Sequence, residues 1–378
     1  MTETDLDQHA GPPDGGGSGA EGRSLRGALL WVISALVFVF TLEASIRVGD
    51  WLRWGAPLRG AYSNDALFVT DSVGWHPKPG ARYQKWTINR FGFRGPEIER
   101  EPAPGVTRVV VFGSSETFGQ AESRDQEFPR ALERFLNARN AGRYEVINAG
   151  IPGMSVARMT EYWERWVREF RPDVAVVYPS PSFYLNVDAP ADVGSVASVP
   201  PPATEGETLR LLPNLRQTLD RLLPPSLQSA VREWQTSRLV SRQPPDWVWR
   251  EVPRERLDIY ARHVRGLVTA LKAQEVDVVL ATHADAIERP LDETERMLMV
   301  GWRRYSPRAL PDVILDFELA ANRALVEVGY ELDTPVVRVD EMIPADRSLF
   351  SDNEHFTDAG AARAAGAMVG AVVEAAGP

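Results

Sequence analysis

The chain has 378 residues, 44% of them hydrophobic, a formal net charge of −10 and no cysteine. That length allows one large domain with appendages or two smaller domains, each with a proper core. The missing cysteine excludes disulfides, thiolate catalysis and Cys-built zinc sites. The acidic balance argues against a nucleic-acid partner, which would need a basic face. Its five histidines are His9, His76, His263, His283 and His355. No two stand four residues apart and no His-Glu-x-x-His occurs, so neither a metal nor a cofactor is expected.

Residues 1–26 carry Gly15-Gly16-Gly17 among acidic and small polar residues and lack an apolar period. They read as a disordered tail. Gly27 to Leu42 then form an uncharged run. Extended through Glu43 to Val48, it approaches the roughly 20 residues that a membrane span needs. Trp51 and Trp54 suit the membrane surface that would follow. Residues 27–48 are therefore expected to be a transmembrane anchor. A cleaved signal peptide and a buried core helix are the alternatives, and the long polar tail ahead of the run disfavours cleavage. Arg23 and Arg26 precede the run and Arg47, Arg53 and Arg59 follow it, so charge does not fix orientation.

Residues 49–106 are rich in aromatics, with Trp51, Trp54, Trp75 and Trp86, and read as a lead-in that packs on the main domain. From residue 107 to 378 apolar strands alternate with helical stretches. The expected strands are Thr107 to Phe112, Tyr144 to Asn148, Val174 to Tyr178, Val276 to Ala281 and Val336 to Val339. Phe128, Leu132, Phe135 and Leu136 have helical spacing, with Pro129 in the first turn where its missing N–H costs little. Further helices are expected over Met159 to Phe170, Leu257 to Leu271 and Ala361 to Ala376. Such alternation implies an α/β fold with a parallel sheet of about five strands covered on both faces. Ligands of such sheets bind beyond the carboxyl ends of the strands.

A Pro-rich excursion, residues 185–253, interrupts the alternation between the third and fourth strands. A connection that long is usually functional or unstructured. Leu209 to Leu223 has helical spacing, so a partly helical lid over the carboxyl edge is expected, against the plainer reading of an exposed insertion. A second long connection, Ala286 to Gly329, reads as helical. Trp163, Trp166 and Trp302 read as helix-packing residues rather than sugar platforms.

Three segments at strand ends hold the residues able to do chemistry. The first strand ends in Gly113-Ser114-Ser115-Glu116-Thr117-Phe118-Gly119. A serine there can project its hydroxyl from the sheet edge, although Thr117 stands where a nucleophile elbow needs glycine. The second strand ends in Asn148-Ala149-Gly150-Ile151-Pro152-Gly153, whose glycines can turn an N–H toward a ligand. Near the C-terminus, Asp352-Asn353-Glu354-His355 sets a carboxylate three residues before an imidazole. In a tight turn that carboxylate can fix the tautomer of a general base. Each segment alone also fits a plain turn or a surface pair.

Taken together, in this chain order, the segments resemble the SGNH (GDSL-type) hydrolase family. Its blocks read roughly Gly-Asp-Ser-x-Thr-x-Gly, a glycine block, Gly-x-Asn-Asp and Asp-x-x-His. Thr87-Ile88-Asn89-Arg90-Phe91-Gly92-Phe93-Arg94-Gly95 also resembles the Asn-x-x-Gly-x-Arg lead-in of membrane-anchored bacterial members. The resemblance covers about residues 107–183 and 255–376. It implies a flavodoxin-like, doubly wound sheet and a serine esterase. Ser115 would be the nucleophile, Asp352 the acid and His355 the base. The oxyanion donors would be Ser115, Gly153 (Gly150 the second choice) and Ser182.

Two departures stand out. Ser114 replaces the aspartate before the nucleophile. The third block reads Tyr178-Pro179-Ser180-Pro181-Ser182-Phe183, so the family's oxyanion asparagine falls on Ser182. A hydroxyl reaches less far than an amide, and losing one oxyanion donor costs about 100- to 1000-fold in turnover. Asn186 is the candidate substitute donor, and His283, after the fourth strand, a candidate substrate contact or second acid–base group. A structural, hydrogen-bonding role is the other reading of His283. The expected substrate is an acylated small molecule or glycan, with the catalytic domain outside the cytoplasm. A polysaccharide O-acetyltransferase with the same triad and a non-catalytic glycan-binding or assembly protein are the alternatives. Sequence leaves the oligomeric state open.

Overall fold

The computed structural model describes residues 18–60, 62–138, 142–185, 209–211 and 223–377. It opens with helix α1, Ser18–Trp54. Within it Ala28–Trp54 is long and apolar enough to cross a membrane by length and composition. A signal sequence would pass the same test. The side chains from Leu29 to Phe40 that are large and apolar stand exposed, Trp31 by 79% and Phe40 by 74%. The helix starts before the expected boundary: Ser18 to Arg26 belong to it rather than to the tail. The remainder of the tail lies outside the described residues.

The lead-in forms two small antiparallel hairpins. The first pairs β1 (Phe68–Asp71) with β2 (Gly74–Pro77), and the second β3 (Arg82–Tyr83) with β4 (Trp86–Thr87). The main sheet holds five parallel strands: β5 (Thr107–Gly113), β6 (Tyr144–Asn148), β7 (Val174–Tyr178), β8 (Asp277–Ala281) and β9 (Val336–Val337). Their order is β6-β5-β7-β8-β9. The chain leaves β5 toward one edge and returns past it to β7. That reversal opens a crevice at the carboxyl end of β5, where doubly wound sheets bind ligands.

Alternate residues along each strand face opposite sides. Val110, Phe112, Ala175, Val177, Val278 and Leu280 enter one core. Val109, Val111, Val174, Val176, Val279 and Ala281 enter the other. The first core is closed by α4 (Val156–Arg165), α6 (Arg254–Lys272) and α8 (Pro311–Glu331), and the second by α3 (Phe128–Leu136) and α10 (Asp358–Ala375). Short helix α2 (Ser115–Phe118) follows β5, α5 (Pro225–Val240) and α7 (Glu293–Arg303) lie within the two long connections, and α9 is Val339–Met342. Trp163 and Trp302 are each 2% exposed, as helix-packing residues should be.

Several boundaries differ from the sequence reading for local reasons. Helix α4 begins at Val156, because the Ser155 hydroxyl accepts the Arg158 N–H and caps it. It ends at Arg165, since Trp166 leaves helical geometry and donates its indole N–H to the Phe91 carbonyl (3.0 Å). The closing helix begins at Asp358, where Thr357 caps it through the Gly360 N–H. The helical reading of Leu209 to Leu223 falls mostly outside the described residues, while the same excursion does contain α5.

Candidate active site

Strand β5 ends at Gly113, where a methyl group would overlap the Thr117 hydroxyl and crowd the Tyr178 carbonyl. Only glycine lets the chain fold back tightly enough to start α2 at once. The first residue of that turn, Ser115, is partly exposed, while Ser114, Glu116, Thr117 and Phe118 are buried. The turn is fastened from two sides. Asn148, the last residue of β6, donates its amide to the Thr117 carbonyl (2.9 Å) and accepts the Gly150 N–H (3.0 Å). From the lead-in, the guanidinium of Arg94 donates to the Phe118 and Gly119 carbonyls and forms a buried ion pair with Glu127 at 2.9 Å.

The local sequence explains why Arg94 arrives there. Asn89 Oδ1 accepts the N–H groups of both Phe91 and Phe93 (3.0 Å each), closing a tight loop. Gly92 sits in the left-handed region at φ +86°, against the Pro77 carbonyl, where a side chain would not fit. The Asn-x-x-Gly-x-Arg segment is thus a brace under the nucleophile turn.

Asp352 and His355, the expected acid and base, share one loop ahead of α10. His355 Nδ1 contacts both Asp352 oxygens, at 2.8 and 3.0 Å. Asp352 Oδ1 also accepts the backbone N–H of Glu354 and His355. The other ring nitrogen, His355 Nε2, is buried and has no hydrogen-bond partner among the described residues. Burial pulls the imidazole pKa down, but the Asp352 hydrogen bond and the charges of Asp352, Glu354 and Glu116 outweigh it, lifting it to about 10. At neutral pH the resting ring is therefore an imidazolium. Burial raises the Asp352 carboxyl, yet His355 more than offsets this and holds it below its usual range.

The hydroxyl of Ser115 donates to Glu116 Oε2 at 3.3 Å rather than to His355. Glu116 Oε1 meets His283 Nε2 at 3.1 Å, and His283 Nδ1 meets Glu318 Oε2 at 2.9 Å. The imidazole of His283 is fully buried between the two carboxylates. Burial disfavours its charge, but Glu318, Tyr178 and the hydrogen bonds from both glutamates overcome this and hold the ring cationic. Burial would likewise raise Glu116, but His283 outweighs it and keeps Glu116 below the ordinary carboxylate range. Asn322 clamps the His283 backbone, accepting its N–H and donating to its carbonyl. His283 therefore occupies a buried, fully bonded position, not one that offers a ring nitrogen to a substrate.

Glu354 completes the cluster. Burial and the Glu116 charge raise its carboxyl to about 8. One ligand atom each from Glu116, His283 and Glu354 lies within 4.8 Å of the others. These three residues are the group here able to hold a cation, which sequence did not foresee; His283 Nε2 is already bonded to Glu116.

Two expected oxyanion donors already have partners in the resting site. The Gly153 N–H donates to the Ser114 hydroxyl at 3.0 Å. Gly150, the second choice, is engaged by Asn148. Ser182 lies buried in a short turn, Pro181–Leu185, at the carboxyl end of β7. Asn186 lies outside the described residues.

No family model and no curated protein matches the chain. Among solved structures, one likeness is a lipase/acylhydrolase from Enterococcus faecalis, 14% identical with a TM-score of 0.42, covering 71% of this chain and 95% of that one. Another is the acetyl xylan esterase AlAXEase, 15% identical with a TM-score of 0.42, covering 70% and 100%. A third is a mutant acetyl-xylooligosaccharide esterase from Geobacillus, 14% identical with a TM-score of 0.40, covering 73% and 97%.

Proposed function

We propose that the protein is a serine esterase that works through an acyl-enzyme, anchored to a membrane by α1. The observation that carries this reading is the convergence at one sheet edge. Ser115 is presented at the switch-point crevice, and the paired His355 keeps one buried nitrogen without a partner.

The order of events follows from these groups. His355 must first give up the proton that its acidic surroundings confer. Its Nε2 then takes the Ser115 hydroxyl proton as the serine oxygen attacks an acyl carbonyl, while Asp352 stabilises the imidazolium. The oxyanion is held by the Ser115 N–H, by the Gly153 N–H once it leaves the Ser114 hydroxyl, and by the Ser182 hydroxyl. His355 next protonates the leaving alcohol. Water, or an acceptor hydroxyl in the transferase variant of the same chemistry, releases the acyl group. With the domain outside the cytoplasm, acetylated surface glycans fit this scheme.

The test is turnover of p-nitrophenyl acetate by the full chain in detergent, beside Ser115→Ala and His355→Ala. Activity that collapses in both, with fluorophosphonate labelling lost in Ser115→Ala, establishes the serine mechanism. Absent turnover together with an unlabelled Ser115 sinks it.

A further inference from the structure

The acid–base pair leaves a second set of buried charges at the nucleophile unused. Glu116, Glu318 and His283 are 1%, 3% and 1% exposed. Buried ions are expensive, and removing one partner of a buried pair costs several kcal/mol. A triad of ionic groups deep under the carboxyl edge therefore calls for more than packing. Its outer member is the one that reaches the reacting atom: Glu116 accepts the Ser115 hydroxyl. The inner members act behind it. Glu318, from α8, orients His283, and His283 holds one Glu116 oxygen, leaving the other for Ser115.

We propose that Glu116, clamped by His283 and Glu318, is a further catalytic group of this site: it receives the Ser115 hydroxyl at rest and sets a fixed negative charge beside His355. This rests on the esterase reading for its effect on turnover. The charges facing His355 come from three directions: Asp352 and Glu354 on its own loop, Glu116 on α2, and Glu122 on the segment after α2. His283 and Glu318 lie behind Glu116. The arm has two opposed consequences. Its negative charge stabilises the imidazolium formed when His355 takes the serine proton, a useful gain where the third oxyanion donor is only a hydroxyl. The same charge adds to the larger pull of Asp352 that keeps His355 protonated at rest, so the reactive neutral ring is scarce until the solution turns alkaline.

The experiment replaces Glu116→Gln, which keeps the size and a hydrogen-bond acceptor but removes the charge. Two readouts are taken: the pH profile of kcat/KM and the titration of the His355 ring by ¹⁵N chemical shift, assigned with His355→Gln. Losing this opposite charge should move the His355 titration down. The alkaline limb of the profile should follow, and the plateau should fall about tenfold, the loss expected of one weakened stabilising contact. A folded Glu116→Gln whose His355 titration stays in place overturns the proposal. If Glu116→Gln does not fold, Glu116→Asp serves instead. It retains the charge but draws it back from Ser115, so the titration should hold and the plateau fall; an unchanged plateau overturns the proposal. The ring titration needs no turnover, so a failed esterase reading and a failed charge effect are told apart. A zinc-induced rise in melting temperature that Glu354→Gln abolishes would also overturn it, making the cluster a cation site.

Discussion

Two histidines lie at the carboxyl edge, both facing carboxylates; His283 is fully buried and His355 partly exposed. His283 spends both ring nitrogens on glutamates and has its backbone clamped by Asn322. His355 spends one nitrogen on Asp352 and leaves the other unbonded. A saturated imidazole is a structural cation, whereas an imidazole with one nitrogen to spare can move a proton. The difference lies in the bonds and in access, since only the His355 ring is partly exposed.

The comparison is broken most sharply by activity. His355→Ala should lower turnover by about 10⁴-fold or more. If His283→Ala matched that loss without unfolding, the assignment of roles would be reversed. Asp352→Asn should come close behind, at about 10⁴-fold in kcat, because it supports the wrong tautomer. His283→Ala should act on stability instead. It strands two buried carboxylates, and about 3–5 kcal/mol should be lost in denaturant titration. A loss under 1 kcal/mol would show that the ionic arm is dispensable for the fold.

A pH series sharpens the same contrast. The folded pKa of His355 lies near 10, above its ordinary 6.5. Its contribution to stability is therefore complete below about pH 6.5 and is lost as the pH rises through about 10. Turnover should rise over that window, because only the neutral ring accepts the serine proton. A profile that is flat from pH 7 to 10 would contradict this. The smallest effect concerns the loop that carries His355. Thr357→Ala removes the cap of α10 and should cost about 1 kcal/mol in melting experiments without moving the His283 contacts.

Much of this was legible in the sequence. The five strands stand out because buried parallel strands are short, nearly continuous apolar runs, as in Val109 to Phe112 and Val174 to Val177. Ser115, Asp352 and His355 stood out as candidates because each sits where a strand or turn ends. The ionic arm was not found, since Glu116, His283 and Glu318 are distant in the chain and meet only after folding. One signal was nevertheless present: Glu318 and Asn322 stand one turn apart on the face of α8 that carries Ile314, Phe317, Ala321 and Leu325. Polar groups at core-facing positions need buried partners. Arg94 was legible through the loop motif that delivers it, but its grip on the Phe118 and Gly119 carbonyls was not. The resting contact of the Gly153 N–H with Ser114 was not legible, because spacing does not tell which acceptor an N–H takes.

The Arg94 brace also bears on how this molecule can be divided. A boundary at residue 107, natural when counting strands, would sever the turn after β5 from the guanidinium that holds it and leave Glu127 without its buried ion-pair partner. The lead-in and the main sheet are thus one structural unit. Any chimera that moves this chemistry onto a different anchor has to carry the loop from Asn89 to Arg94 with it.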